Sequence, residues 1–311
     1  MNICEQLKQR KLTLPFTYEE KYKSFKFLQE HILEKINRKE KYFIGRLSGN
    51  ECNLLGCVLS GKQINNTLLH NMLDGAGIHF LNNDDIKKYC STYTKSVVNC
   101  DILGIWAGLM YMQSIPYYDF LNKFIPTKQY ICAQSLEPYY YMNEIDYKFQ
   151  EIFENKKVLI ITSHSESTKC QMKKDNIFHK RIFHETADIF VYKSVQQNAG
   201  NNDDNSWEYH FDKMKNDILH LKNTKFNFDI ALVSCGGFGM ILCNYIFSEL
   251  DASVIYVGGS LQLYFGIMGN RWRNNVNILK HINDKWINVL EQDKISSLKE
   301  NPSLCENSCY W

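Results

Sequence analysis

The second half of this 311-residue chain alternates short apolar runs with segments of helical spacing. The apolar runs at 157–162, 228–234 and 253–257 are rich in Val, Ile and Leu, and each ends at a polar or glycine-rich turn. Runs of this length are typical of strands that are buried on both faces of a parallel sheet. Parallel neighbours need crossover helices, and helical patterns occupy 207–222 and 239–250. The pattern therefore predicts an α/β fold with a Rossmann-like, open, mostly parallel sheet and helices on both faces.

The first half of the chain adds elements of the same kind. Apolar positions at helical spacing predict an amphipathic helix over 17–41, and a short strand follows at 42–45. A buried strand is predicted at 101–106, and the aromatic-rich segment 116–155 is predicted to be mostly helical. The resulting division is a helical lead-in (1–41), an α/β domain (42–294) and a weakly structured tail (295–311).

Composition excludes several classes of protein. The 36 Lys and Arg residues nearly balance the 34 Asp and Glu residues, so no strong field favours nucleic acid. The charged amino-terminal segment is unlike a signal peptide, and the longest apolar run, 102–112, is too short to span a bilayer. The 11 cysteines are odd in number and lack zinc-ribbon or CxxC spacing, which is typical of reduced thiols. We therefore expect a soluble, cytoplasmic protein with no nucleic-acid partner and no membrane span.

Glycines follow two of the predicted strands. One strand leads into Cys-Gly-Gly-Phe-Gly at 235–239 and then a helix, and the next strand ends at a glycine pair. Glycines at such strand ends let backbone N–H groups approach a phosphate, and the helix dipole adds to the attraction. The pattern differs from the dinucleotide fingerprint GxGxxG, so phosphate binding and a simple tight turn both remain open. The candidate phosphate-binding glycines are Gly236, Gly237, Gly239, Gly258 and Gly259.

Polar residues near other strand ends are further candidates. Gln262 and Arg271 follow the last strand; an amide can contact a sugar or base edge, and a guanidinium can clamp a diphosphate. The alternative is a packed helix with a snorkelling arginine. His164 follows the strand at 157–162 and is either a substrate contact or a loop histidine. The absence of a G-x-S-x-G motif argues against a hydrolase triad.

Three charged residues complete the set. Arg46 and Glu51 follow the first strand and could bind a metal–diphosphate or a sugar hydroxyl, with a surface salt bridge as the alternative. Asp101 begins its strand and is either catalytic or a turn cap.

Taken together, these stretches resemble the GT-D-type glycosyltransferase fold. The segment GRLSGNE (45–51) resembles the R-F-G-D-G-E segment of that fold, and CDILGIW (100–106) resembles its C-D-x-x-G-I strand. Residues 231–259 resemble its last glycine-rich β-α-β unit. The chain is also similar to uncharacterised bacterial relatives of the fold that are often associated with surface-polysaccharide genes. The shared motifs are LEPYYY (136–141), KKVLIITSHSESTKCQ (156–171), QNAGN (197–201) and GGSLQLYFGIMGNRW (258–272).

The resemblance implies transfer of a sugar from a nucleoside diphosphate donor to a hydroxyl acceptor, in glycan or polysaccharide synthesis. In this view the glycine turns hold the diphosphate, and Arg46 or Arg271 neutralises the leaving group. Glu51 or Asp101 activates the acceptor or holds a metal. His164 and Gln262 contact donor or acceptor, and the loop 198–206 acts as a lid.

One departure from the family pattern concerns the metal. GT-D enzymes are associated with a D-x-E motif that binds a divalent cation, and the aligned residues here are Gly49, Asn50 and Glu51. Use of Mn²⁺ or Mg²⁺ is therefore open: Glu51 serves alone, Asp101 substitutes, or the reaction needs no metal. The missing Asp favours an alternative, a non-catalytic nucleotide-sugar or glycan-binding protein. A third class, a structural or assembly protein, predicts no polar convergence at the strand ends.

Overall fold

The computed structural model describes residues 17–106, 112–174 and 179–311. Seven strands form the main sheet: β1 (Phe43–Arg46), β2 (Ile102–Ile105), β3 (Gln129–Cys132), β4 (Lys157–Thr162), β5 (Asp188–Lys193), β6 (Ile230–Ser234) and β7 (Ser253–Tyr256). All are parallel, in the order β3-β2-β1-β7-β6-β4-β5. A separate parallel pair joins β8 (Ile267–Met268) to β9 (Ile287–Asn288). The predicted α/β, Rossmann-like open sheet is confirmed.

Helices and short turns connect the strands. They are α1 (Tyr18–Asn37), α2 (Gly49–Leu59), α3 (Asn66–Asp74), α4 (Asn83–Asn99), α5 (Ile115–Phe124), α6 (Ser165–Met172), α7 (His179–Ile182), α8 (Trp207–Thr224), α9 (Gly239–Glu249), α10 (Leu261–Tyr264), α11 (Val276–Leu279), α12 (Ser296–Glu300) and α13 (Leu304–Ser308). Within the described ranges, none of these helices combines the length and the apolar character needed to cross a bilayer.

Both faces of the sheet are buried. Successive side chains of a strand point to opposite faces, and β4 illustrates this. Leu159 and Ile161 pack into a core formed with α2, α4, α5, α8 and α9. Val158 and Ile160 pack into a second core with α1, α10 and the carboxyl-terminal segment. Two apolar layers thus fix the strands, and their carboxyl ends all emerge at one edge.

The segment 116–155 differs from its mostly helical prediction. Helix α5 ends at Phe124, and Gln129–Cys132 then forms the edge strand β3 paired with β2. The prediction was wrong here because this four-residue strand is too short to show a clear periodicity. Its first residue, Gln129, is exposed, and pairing with β2 defines the strand. Short 3₁₀ turns follow from Ala133 to Phe153.

The carboxyl-terminal segment 295–311 also differs from the weak structure predicted for it. It contains α12 and α13, and Trp311 is 8% exposed. The Cys305 N–H donates to Asp74 Oδ2 at 2.9 Å, and the Ser297 hydroxyl donates to the Ala199 carbonyl. These contacts join residues far apart in the chain, so the local sequence gives no sign of them. The division into a lead-in, one domain and a tail remains a prediction.

Candidate functional site

A cavity of about 260 Å³ lies at the carboxyl edge of the sheet. Arg46, Ser234 and Tyr256 end β1, β6 and β7 and line it, while Ser163 and Ser194 line it directly after β4 and β5. Ligands of open α/β sheets bind at such an edge, because loops and helix N-termini converge there. The predicted site residues that line the cavity are Arg46, Glu51, His164, Gly236, Gly258, Gly259, Gln262 and Arg271.

Arg46 is held in place before any ligand binds. It is 9% exposed, and Nη1 donates to the Val257 carbonyl. Its guanidinium lies over the Trp106 ring, 4.7 Å from the centroid. Gly258 adopts φ +72°, and a Cβ there would lie 2.8 Å from Nη1 of Arg46. This glycine therefore makes room for the guanidinium.

A buried carboxylate, Glu137, lies near Arg46. Burial raises the pKa of Glu137, while the Arg46 guanidinium and a hydrogen bond with Ser260 oppose that rise. Glu137 is 6% exposed, so its charge depends on these neighbours. Glu137 lies in the motif LEPYYY, where the sequence alone predicts no role for it. Only the fold brings it close to β1.

Glu51 is the third residue of α2 and is 3% exposed at the cavity. The Ser48 hydroxyl donates to its carboxylate. Burial raises the pKa of Glu51 above its usual range, and the Ser48 hydrogen bond and the Arg46 charge oppose this shift. A carboxylate with a raised pKa is a stronger base than an exposed one. Glu51 is therefore suited to accept a proton from a bound hydroxyl.

Arg271 is positioned by the carboxyl-terminal segment. Its guanidinium lies 4.7 Å from the centroid of the Tyr310 ring, and Nη1 donates to the Tyr310 hydroxyl at 3.0 Å. Tyr310 occupies space that Gly259 leaves empty, since a Cβ on Gly259 would lie 2.1 Å from the ring. Gly259 therefore makes room for the Tyr310 ring, which positions Arg271, whether or not Gly259 also contacts a ligand.

His164 and Gln262 bring uncharged groups to the cavity. His164 precedes α6 and is 5% exposed, and burial lowers its pKa to about 4. Its ring meets Trp311 edge-on, with 5.8 Å between centroids. Gln262 donates through Nε2 to the carbonyls of Ile267 and Tyr310, both at 3.2 Å. Both side chains are thus neutral at physiological pH.

The amino end of α6, next to His164, is already capped. Asp293 accepts the N–H groups of Glu166 and Ser167 at 3.2 and 2.6 Å, and it is 2% exposed. A carboxylate at this position satisfies the helix donors and the dipole. A phosphate is therefore not favoured at this helix end. The sequence offered no sign of this cap, because Asp293 lies more than 120 positions later.

Three predicted site residues lie outside the cavity lining. Asp101 precedes β2 at the amino edge of the sheet, where Oδ2 accepts the Phe43 N–H at 2.7 Å. It therefore caps a strand, and its catalytic prediction is not supported by its position. Gly237 donates its N–H to the Ala76 carbonyl at 2.8 Å, so that donor is used. A Cβ on Gly239 would lie 2.0 Å from the Tyr256 ring, so Gly239 serves close packing.

Gly236 lies in the cavity wall but also has a backbone role. It adopts φ +55°, and its carbonyl accepts the Tyr256 hydroxyl at 2.8 Å. A Cβ there would lie 2.5 Å from the Ala76 carbonyl oxygen. Of the two readings of the glycine-rich turn, the contacts favour the tight turn. The loop 198–206 borders the cavity through Asn198.

The donor set at Glu51 does not fit a divalent-cation site. In the described part of the chain, no three His, Cys, Asp or Glu side chains converge. Glu51 is the acidic residue among the described cavity-lining residues, and its carboxylate faces Ser48 and Arg46. Mg²⁺ and similar cations prefer several oxygen ligands, usually including more than one carboxylate or phosphate. Metal dependence therefore stays an open prediction.

Comparison with known proteins gives one match. A family model described as a GT-D fold-like domain matches residues 26–263, more than half of the chain. The matched span includes Arg46, Glu51, His164 and Gln262 and ends before Arg271. No curated protein and no solved structure matches the chain. The chain belongs to the GT-D fold-like family.

Proposed function

We propose that this protein is a glycosyltransferase that moves a sugar from a nucleoside diphosphate donor to a hydroxyl acceptor. The observation that carries the proposal is the meeting of Arg46, Glu51 and Arg271 in one cavity at the carboxyl edge of the sheet. Membership of a glycosyltransferase-related fold family supports sugar transfer as the general chemistry.

The two arginines are suited to the diphosphate. Guanidinium groups bind phosphate oxygens through paired, charge-assisted hydrogen bonds. Arg46 and Arg271 are the cationic residues among the described cavity-lining side chains, with Glu51 as their acidic counterpart. Each has a fixed orientation, Arg46 through Val257 and Trp106 and Arg271 through Tyr310. Pre-oriented cations stabilise charge that develops in a transition state without reorganising.

In the proposed reaction the acceptor oxygen forms a bond to the anomeric carbon of the donor sugar. The bond from that carbon to the diphosphate oxygen breaks, and the nucleoside diphosphate leaves with the electron pair. The Glu51 carboxylate takes the proton of the acceptor hydroxyl. Negative charge therefore grows on the diphosphate next to the arginines, which is where electrostatic stabilisation lowers the barrier most.

A second function is favoured by one specific observation. The position aligned with the first carboxylate of the D-x-E motif is Gly49, and the donor set around Glu51 does not fit a divalent cation. A protein of this fold that only binds a nucleotide sugar or glycan, without turnover, does not need the missing carboxylate. It differs from the transferase in one measurable respect, because it leaves its donor intact.

The test is a panel of UDP-, GDP- and dTDP-sugars, with and without Mn²⁺. Thermal shift reports binding, and release of nucleoside diphosphate reports turnover with water or an added hydroxyl acceptor. We expect one donor class to stabilise the protein and to be consumed. A donor that binds and stays intact in every condition supports the binding protein instead. The transferase proposal fails if no member of the panel binds.

A further inference from the structure

We propose that the cavity contains a distinct subsite for the uncharged sugar of the donor, formed by His164, Ser194, Gln196, Gln262 and Trp311. We call this set the neutral subsite; it rests on the proposed function and deepens it. The residues come from the segments after β4 and β5, from α10 and from the end of the chain, and all line the same cavity.

Each member of the neutral subsite has a buried polar atom without a hydrogen-bond partner among the described residues. The atoms are His164 Nε2, Ser194 Oγ, Gln196 Nε2, Gln262 Oε1 and Trp311 Nε1. Buried polar atoms in native proteins are almost always paired, because an unpaired one forfeits its bonds to water. Other buried polar atoms of the described residues, such as Tyr42 Oη and Tyr93 Oη, also lack a protein partner, but these five surround one cavity, where a polar ligand would complete their bonds.

The neutral subsite is suited to an uncharged group. None of its side chains carries a formal charge, since burial keeps the imidazole of His164 neutral. The amino end of α6, beside His164, already holds the Asp293 carboxylate. The side chains of the neutral subsite themselves offer no cation that would offset the lost hydration of a diphosphate. The diphosphate therefore belongs with Arg46 and Arg271.

The mixture of donors and acceptors favours hydroxyl groups. Gln196 Nε2 and Trp311 Nε1 donate, Gln262 Oε1 accepts, and Ser194 Oγ and His164 Nε2 do either. Each sugar hydroxyl is both a donor and an acceptor, so a sugar matches such a set from several directions. A nucleobase also needs a flat face on which to stack. Trp311 is only 8% exposed and meets His164 edge-on, so it offers little face.

The test compares a nucleoside diphosphate with its sugar conjugate by calorimetry, using UDP with UDP-glucose and GDP with GDP-mannose. The double variant Ser194→Ala, Gln196→Leu removes two groups of the neutral subsite. We expect affinity for the sugar conjugate to fall about tenfold while affinity for the free diphosphate stays within about twofold. Arg271→Lys is expected to weaken both ligands of a pair alike.

The matched control is Ser60→Ala, Gln63→Leu, the same chemical changes at exposed positions outside the cavity. It should leave both affinities unchanged. If circular dichroism shows that the cavity double variant does not fold, Gln196→Leu alone replaces it. We then expect a smaller fall in affinity, again for the sugar conjugate only.

Two results would overturn the neutral subsite while leaving the proposed function intact. One is an equal loss of affinity for the free nucleoside diphosphate and for its sugar conjugate, which would place the nucleoside in these residues instead of the sugar. The other is no change in either, which would mean that water satisfies these groups. If the wild-type protein binds neither member of these pairs, and neither dTDP nor dTDP-glucose, the proposed function itself fails and the subsite fails with it.

Discussion

The cavity has two sides that differ in how their polar groups are satisfied. On the ionic side, Arg46 donates to Val257 and lies near Glu137, and Arg271 packs on Tyr310. On the neutral side, the polar atoms of Ser194 and Gln262 that lack partners are buried. The ionic side is therefore organised before a ligand arrives, whereas the neutral side depends on the ligand. Pre-organised charge supplies affinity and transition-state stabilisation, and unsatisfied neutral groups supply selectivity.

The largest expected effect comes from breaking the ionic side. Arg46→Met removes one of the two guanidinium groups whose charge stabilises the buried Glu137 carboxylate, the other being Arg271, and we expect a loss of about 3 kcal/mol in the free energy of unfolding. Adding Glu137→Gln should recover most of this stability without restoring donor binding. Urea denaturation of the single and double variants measures the free energy of unfolding, and calorimetry with UDP and GDP measures ligand binding. A double variant that remains as unstable as the single one would show that Glu137 is not the partner of Arg46.

A smaller effect is expected from the proposed base. Glu51→Gln should lower the transfer rate by about 10²–10³-fold while donor affinity changes only a few-fold, because general-base catalysis contributes on this scale. Since burial raises the pKa of Glu51, the wild-type rate should fall on the acid side through a pKa above the usual glutamate range. The variant should lack that limb. Glu166→Gln, on the exposed side of α6, is the matched control. A variant with an unchanged rate and pH profile would remove Glu51 from the mechanism.

The neutral side makes a prediction about acid stability. His164 has a pKa of about 4 in the folded protein and about 6.5 in the unfolded chain. Its contribution to the free energy of unfolding is therefore fully present above pH 6.5 and is lost as the pH falls from 6.5 towards 4. At pH 5 this loss amounts to about 2 kcal/mol. His164→Asn should therefore lose less stability between pH 8 and pH 5 than the wild type does, as measured by urea denaturation. An identical pH dependence in the two proteins would show that His164 is not buried in its neutral form.

The smallest effect concerns the aromatic support of Arg271. Tyr310→Leu removes the ring beneath the guanidinium, a contact worth about 0.5–1 kcal/mol at a partly exposed site. We expect a few-fold loss of affinity that is equal for UDP and UDP-glucose, because the ring serves the ionic side. Trp272→Leu is unsuitable as a control because Trp272 packs near Tyr310; Tyr209→Leu, on the exposed side of α8, is suitable. A loss confined to UDP-glucose would assign Tyr310 to the sugar instead.

Much of the fold could be predicted because its strands are encoded locally. The apolar runs that form β4, β6 and β7 are continuous in sequence, and the parallel sheet follows from their alternation with helices. Strand β3 was missed because its pairing with β2 defines it more than its own four residues do.

The candidate site was most readily predicted where its residues lie at or soon after the carboxyl end of a strand. Arg46 and His164 do, and both line the cavity. Ser194 and Gln196 were missed because polar residues after a strand are common. Only the fold shows that Ser194 Oγ and Gln196 Nε2 are buried without a hydrogen-bond partner among the described residues. Of the two roles considered for Asp101, its position favours the cap, because it begins its strand and accepts the Phe43 N–H at the amino edge of the sheet.

The position of Trp311 has a practical consequence. Its indole is part of the cavity wall, and the Asn270 N–H donates to its carbonyl at 3.1 Å. Any polypeptide fused after this residue would emerge beside His164. An affinity tag attached directly after Trp311 would therefore lie against the ligand cavity, and we expect it to alter ligand binding in the assays it is meant to enable.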